Sequence, residues 1–180
     1  MTIPSNMSLK HATILPFEGK MPQIDSSAII TPNVSIIGDV EIGARSNIWF
    51  GCVLRGDVNE IRVGEDTNIQ DCTVIHVATH GQGSYIGNRV TIGHSALIHA
   101  CTIEDDAFVG MQACVMDGAK LEKGAMLAAG ALLTPGKTVP SGQLWAGRPA
   151  RYVRDLNDDD RKTMQWSWAH YVKLAQRHDF

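Results

Sequence analysis

The chain has 180 residues, of which 44% are hydrophobic and 6% aromatic, and its formal net charge is -3. That length gives one sizeable core and argues against two domains, while Lys and Arg are scattered without a basic face for nucleic acid or an anionic membrane. No apolar run approaches the ~18 residues of a membrane-spanning helix, and Met1 to Lys10 lacks the apolar stretch of a secretory leader, so the expected location is the cytoplasm.

Residues 1–22 show no repeat and are assigned to an N-terminal segment. From there an aliphatic side chain recurs at every sixth position: Ile24, Ile30, Ile36, Ile42, Ile48 and Leu54. The phase resumes at Val63, Ile69 and Ile75, at Ile86, Ile92 and Ile98, and then from Ile103 through Val109, Val115, Leu121, Leu127 and Leu133 to Val139. An α-helix drifts by about 120° per hexad, so an α-solenoid is excluded. Short strands separated by corners, stacking aliphatic residues coil on coil, give a parallel β-helix over 23–147. Gly43, Gly64, Gly87, Gly93 and Gly110 directly follow aliphatic positions and are expected to serve the corners. Cys52, Cys72, Cys101 and Cys114 form no CxxC pair and lie in apolar or small-residue repeats, which predicts buried free thiols.

Two interruptions, Arg55 to Arg62 and Val77 to Tyr85, break the period and are expected to project from one face, where solenoids often carry function. Leu144 to Arg151 is expected to leave the repeat, and 148–180 to hold a tail and a helix starting at Asn157 or Asp158. Met164, Trp168, Tyr171, Val172 and Ala175 share one helical face and should pack on the coil, with Trp166 off that stripe.

His76, His94 and His99 each lie beside a core position and should point outward. Three neutral imidazoles with a fourth position open to water describe a catalytic zinc site, with nitrogens ~2.0–2.1 Å from the metal. His94 and His99, on one coil, would be roughly 10–16 Å apart unless a corner folds them together. His76 and His99 are separated by little more than one coil and can stack. The economical arrangement takes two ligands from one subunit and His94 from a neighbour, and a three-sided prism suits a cyclic trimer.

The hexad resembles the [LIV]-[GAED]-x-x-[STAV]-x signature of the hexapeptide family, which implies the left hand of the coil. Nearly the whole chain is similar to the γ-class carbonic anhydrases, through Arg55-Gly56-Asp57, Asn68-Ile69-Gln70-Asp71, Ile75-His76-Val77, Ile92-Gly93-His94 and Leu97-Ile98-His99. The resemblance implies that His76 and His99 of one subunit and His94 of the next bind zinc, or iron or cobalt, in a homotrimer that hydrates carbon dioxide to bicarbonate. It further implies that Arg55 pairs with Asp71 across the interface and lies near bicarbonate, with Asp57 in the same ionic network. Asn68 and Gln70 would flank the reacting water, Gln70 orienting it. Tyr171 matches a tyrosine near the site, although its stripe position also suits packing. The family prototype has glutamates beside the Arg-Gly-Asp segment and in an acidic loop; here Val58 and Asn59 follow Asp57, and Val77 to Tyr85 has no carboxylate. His80 is the expected substitute proton carrier. Two other functions compete: an acetyl-CoA-dependent hexapeptide acyltransferase, whose proteins often end in a segment like Gly147-Arg148-Pro149-Ala150, and a metal-binding trimer with little activity.

Overall fold

The computed structural model describes residues 11–178. The expectation for Met1 to Lys10 lies outside the described residues. The rest of the chain forms the expected left-handed parallel β-helix of hexapeptide repeats, about seven turns long, with one C-terminal α-helix.

Three aliphatic columns make its three faces. On the first, Ile36, Leu54, Ile75, Ile98, Val115 and Leu133 are successive register partners. On the second they are Ile24, Ile42, Val63, Ile86, Ile103, Leu121 and Val139. The third runs Ile30, Ile48, Ile69, Ile92, Val109, Leu127 and Trp145. All but Ile24 and Trp145 are buried, and each buried Ile or Leu contributes on the order of 1.5–3 kcal/mol. A second column of smaller residues, including Ser46, Cys52, Thr67, Ala96, Ala113 and Ala131, fills the corners beside them.

The corners themselves differ from expectation. The left-handed backbone falls three residues after the aliphatic position, at Arg45 (φ 58), Asp66 (φ 54) and Arg89 (φ 56), not at the glycine that follows it. Those glycines answer another need: a Cβ on Gly64 would sit 2.7 Å from the carbonyl carbon of Gly87, so the coils could not stack at their normal spacing.

Both interruptions fall between the first and second faces, but only one of them projects. Arg55 to Arg62 is absorbed in an 11-residue strand, Val53–Val63, which bends around the corner alongside Ser35–Ile42. The bend brings two backbones together, and a Cβ on Gly56 would lie 2.5 Å from the Asp39 carbonyl oxygen. The middle residue of Arg55-Gly56-Asp57 is therefore fixed by packing. At the same corner the coil through His99 is one residue short, since Ile98 and Ile103 occupy consecutive faces.

Thr13–Leu15 already pairs with Ser35–Ile37, and Leu144 and Trp145 still pair with Met126 and Leu127. The chain then returns as Arg151–Asp155, antiparallel to Gln143–Ala146. The helix, Asp158–Ala175, is capped by Asn157: the Asp160 amide donates to Asn157 Oδ1 at 2.9 Å, and the Asn157 amide donates to Asp160 Oδ2 at 2.8 Å. Its buried residues are Met164, Ser167 and Ala175, with Trp168, Tyr171 and Val172 half-buried beside them. It covers the third face, where Thr91 Oγ1 donates to Ser167 Oγ at 3.0 Å and Tyr171 meets Trp49 edge-on at 5.4 Å. Trp166 is 61% exposed, off the stripe as expected.

The thiols need a correction. Cys52 and Cys101 are buried, and burial pushes both thiols up to about 12, but Cys114 is half-buried and Cys72 is exposed. Cys72 occupies a left-handed corner position (φ 60), as do the exposed Arg45 and Gln112.

Candidate metal centre

His76 and His99 end the strands Val74–His76 and Leu97–His99 and are direct register partners on neighbouring coils. Parallel register stacks their rings, with centroids 5.2 Å apart, and His76 Nδ1 lies 3.2 Å from His99 Nε2. The outer nitrogens are occupied: His76 Nε2 is 3.0 Å from Asp57 Oδ1 and His99 Nδ1 is 2.7 Å from Asp117 Oδ1. An ionised carboxylate only accepts, so each outer nitrogen carries the hydrogen. The two inner nitrogens then face each other, and a proton or a cation between them is what such an approach requires. Their separation suits two nitrogens each ~2.0–2.1 Å from one ion. The pair fits a metal.

Asp57 is shared. It also accepts from Arg55 and, at 2.9 Å, from the Val58 amide. Burial pushes its carboxyl upward, but the bonds from His76, Arg55 and Val58 outweigh that and hold it below the usual carboxylate range. The His76 carbonyl accepts from Ser84 Oγ at 2.6 Å, which anchors the far end of the second interruption.

His94 stands apart from this pair. It sits at the corner where the third face turns into the first, while His76 and His99 sit where the first turns into the second. It has its own carboxylate: His94 Nδ1 is 2.8 Å from Asp71 Oδ2. Within one chain, and among the described residues, no three His, Cys, Asp or Glu side chains converge as a metal site. A single chain thus carries a two-histidine half-site on one edge of the first face and a one-histidine half-site on the other. Between the two edges, Val53, Val74, Leu97, Cys114 and Leu132 form an outward apolar ladder in register, with Val74 38% and Leu97 42% exposed.

Gln70 and Asn68 lie near the His94 edge and are buried. The Asn68 amide nitrogen donates to the Val90 carbonyl at 3.3 Å and to Thr91 Oγ1 at 2.9 Å. A carbonyl cannot donate, so this end of Asn68 must be the nitrogen, and Asn68 Oδ1 is left to accept from Gln70 Nε2 at 3.0 Å. Gln70 is thereby oriented, keeping its Oε1 and one N–H for other partners. Tyr171 lies close enough to Asp71 to feel its charge; burial, then that charge, push the phenol up.

Arg55 pairs with Asp57 in its own chain and Asp71 pairs with His94, so the expected Arg55–Asp71 pair is not formed within one chain. His80 is exposed in the loop between His76 and Ser84. Asn59 Nδ2 ties that loop to the first interruption through the Ala78 carbonyl at 3.2 Å. Two carboxylates are not flagged by the sequence pattern. Glu60, within the first interruption, accepts from Tyr85 and Arg62 at 2.9 and 2.7 Å. Asp117 lies 18 residues beyond His99, one coil on, and that spacing was the signal available for it. Clefts of about 380 and 310 Å³ lie elsewhere on the coil and include none of the three histidines.

The chain is 49% identical to gamma carbonic anhydrase 2, mitochondrial, of Arabidopsis thaliana over 94% of its own length and 63% of the relative's. It is 40% identical to the carbonic anhydrase of Geobacillus kaustophilus, covering 91% of this chain and 89% of that one. The chain belongs to the γ-class carbonic anhydrase family. Among solved structures, a hexapeptide transferase family protein from Anaplasma phagocytophilum is similar at TM-score 0.89 and 50% identity, covering 93% of this chain and 98% of that one. An N-acyltransferase from Bacillus cereus at 14% identity and TM-score 0.65 shares the fold alone. No family model matches the chain. Membership in the carbonic anhydrase family suggests a metal cofactor and a small-molecule substrate. Among the described residues no helix is long and apolar enough to cross a membrane.

Proposed function

We propose that the protein is a metal-dependent carbonic anhydrase that interconverts carbon dioxide and bicarbonate, working as a homotrimer with its metal sites between subunits. His76 and His99 of one subunit and His94 of the next would hold the ion, zinc or alternatively iron or cobalt. The observation that carries this reading is the pair of ring nitrogens facing each other at 3.2 Å, with both outer nitrogens already committed to carboxylates. The apolar ladder between the two half-sites supports a second copy on the first face, because Leu97 and Val74 would gain by leaving water there. A reducing compartment such as the cytoplasm suits the free cysteines.

When bound, the ion supplies Lewis acidity that makes water a nucleophile near neutral pH. The chain's own groups do the rest. Asp57, Asp71 and Asp117 fix the histidine tautomers so that a lone pair is presented from each ring. Gln70, held by Asn68, keeps its carbonyl oxygen free to accept from a water and so to orient it. Arg55 is 45% exposed and keeps guanidinium N–H groups beyond those given to Asp57, suited to an anionic product. His80, exposed on the loop, would pass protons to solvent.

Stopped-flow carbon dioxide hydration on protein loaded with a defined metal tests the proposal, with His94→Ala as the control. Metal-dependent turnover that His94→Ala abolishes is the expected result. A His80→Ala variant should lower turnover and make it more sensitive to buffer concentration. The likeness to a hexapeptide transferase family protein at 50% identity supports a second reading, acyl transfer from acetyl-CoA; protection from thermal unfolding by acetyl-CoA, without hydration activity, would favour it. One metal per subunit with neither activity would favour a metal-stabilised trimer.

A further inference from the structure

We infer that Asp117 is the positioning residue of the metal centre: it fixes His99 in the tautomer that turns the Nε2 lone pair toward His76. The inference rests on the metal site proposed above and deepens it.

The placement of Asp117 follows from the repeat. The coil through His99 is one residue short at its corner, where Ala100 takes a left-handed conformation (φ 46) and its carbonyl accepts from the Gly118 amide at 2.7 Å. The next coil has the full six-residue step from Val115 to Leu121. Its extra corner residue brings the Asp117 carboxylate over the shortened turn, 2.7 Å from His99 Nδ1.

Asp57 holds His76 in a similar way, but its charge is divided among His76, Arg55 and the Val58 amide. Among the described residues the Asp117 side chain accepts from His99 alone, and the carboxylate is 47% exposed. Replacing Asp57 would disturb an ionic network, whereas replacing Asp117 should remove one bond and leave the coil intact. Free imidazole has no such constraint on its tautomer, so without the carboxylate the proton can move to Nε2 and block the nitrogen that faces His76. A carboxylate behind a ligating histidine also makes the ring a better donor, and its loss typically lowers metal affinity about 10- to 100-fold.

The test compares the wild-type protein with Asp117→Ala and Asp117→Asn. Nitrogen-15 NMR of the metal-free protein reads the His99 tautomer, and competition with a chelating dye reads affinity for zinc(II). Wild type should show the Nδ1–H form, and Asp117→Ala should lose it and bind zinc about 10- to 100-fold more weakly. Asp117→Asn, which keeps an accepting oxygen, should restore the Nδ1–H form and part of the affinity. An unchanged tautomer and unchanged affinity in Asp117→Ala would overturn the inference. If no variant binds zinc but the tautomer still shifts in Asp117→Ala, the positioning role stands and the metal reading falls.

Discussion

The late coils, from Ile103 to Val139, and the middle coils, from Leu54 to Ile98, are built on the same buried aliphatic columns but behave differently at one corner. In the late coils every hexad is complete and the outward positions carry ordinary surface pairs such as Lys120 with Glu104. In the middle coils the corner between the first and second faces is lengthened twice and then shortened once, and there the chain collects His76, His99, Asp57, Arg55 and Ser84. Regular repeats make the scaffold, and the breaks in the repeat bring chemistry-bearing side chains together. The interior columns continue through the breaks unchanged, with Leu54, Ile75 and Ile98 all fully buried, so the site adds no cavity to the core.

The largest effect should come from attacking what the two regions share. Ile92→Asp and Leu121→Asp each bury an unpaired carboxylate in a fully enclosed position, and both should abolish folding, seen as loss of the β signal in circular dichroism. Survival of one but not the other would mean that the regions do not share one core.

Next comes the contrast itself. Leu121→Ala, in the regular coils, should cost about 2–5 kcal/mol in urea unfolding. His76→Ala, at the broken corner, should change metal-free stability by no more than about 1 kcal/mol, because the half-buried ring lies outside the aliphatic columns and its polar contacts are to Asp57 and His99 on the same outer face. Equal costs would contradict the separation of scaffold from site.

A smaller effect lies outside both regions. Asn157→Ala removes the helix cap and should cost about 1 kcal/mol. The same cap depends on pH. The Arg154 guanidinium, then the Asn157 amide, hold the Asp160 carboxyl below the usual carboxylate value of 3.8. A group whose folded pKa is depressed stabilises above its unfolded pKa, and that contribution is lost as pH falls through the folded value. Helix signal at 222 nm should therefore begin to fall below about pH 4, and earlier in Asn157→Ala; identical acid profiles would discount the cap.

The fold was legible because a six-residue period has few structural solutions, and from Ile24 to Val139 the chain resumes it after each break. The helix start at Asn157 was legible from its capping residue and the buried stripe from a helical period, except Ser167, whose hydroxyl is buried where Thr91 donates to it. The histidines were legible from their place beside core positions. The thiol environments were not: Cys72 lies in an apolar stretch but at the left-handed corner, and the corner position must be known before exposure follows. The glycine roles were misread because close approach between coils leaves the same sequence mark as a turn. Asp117 was missed because its partner lies one coil away, and a scan for ligands beside the histidines does not look across the stack. The hand of the coil came from resemblance, since spacing is the same in either hand.

The central claim is that each metal site is assembled from half-sites of two chains, and subunit mixing tests it most directly. His76→Ala and His94→Ala subunits, each unable to bind metal alone, would be unfolded together, refolded as a mixture and assayed for bound zinc and carbon dioxide hydration. In random trimers about a quarter of the interfaces would pair an intact His76 and His99 with an intact His94, so the mixture should regain metal and activity in about that proportion. A mixture that forms mixed trimers and stays as empty and inactive as its parents would contradict the account.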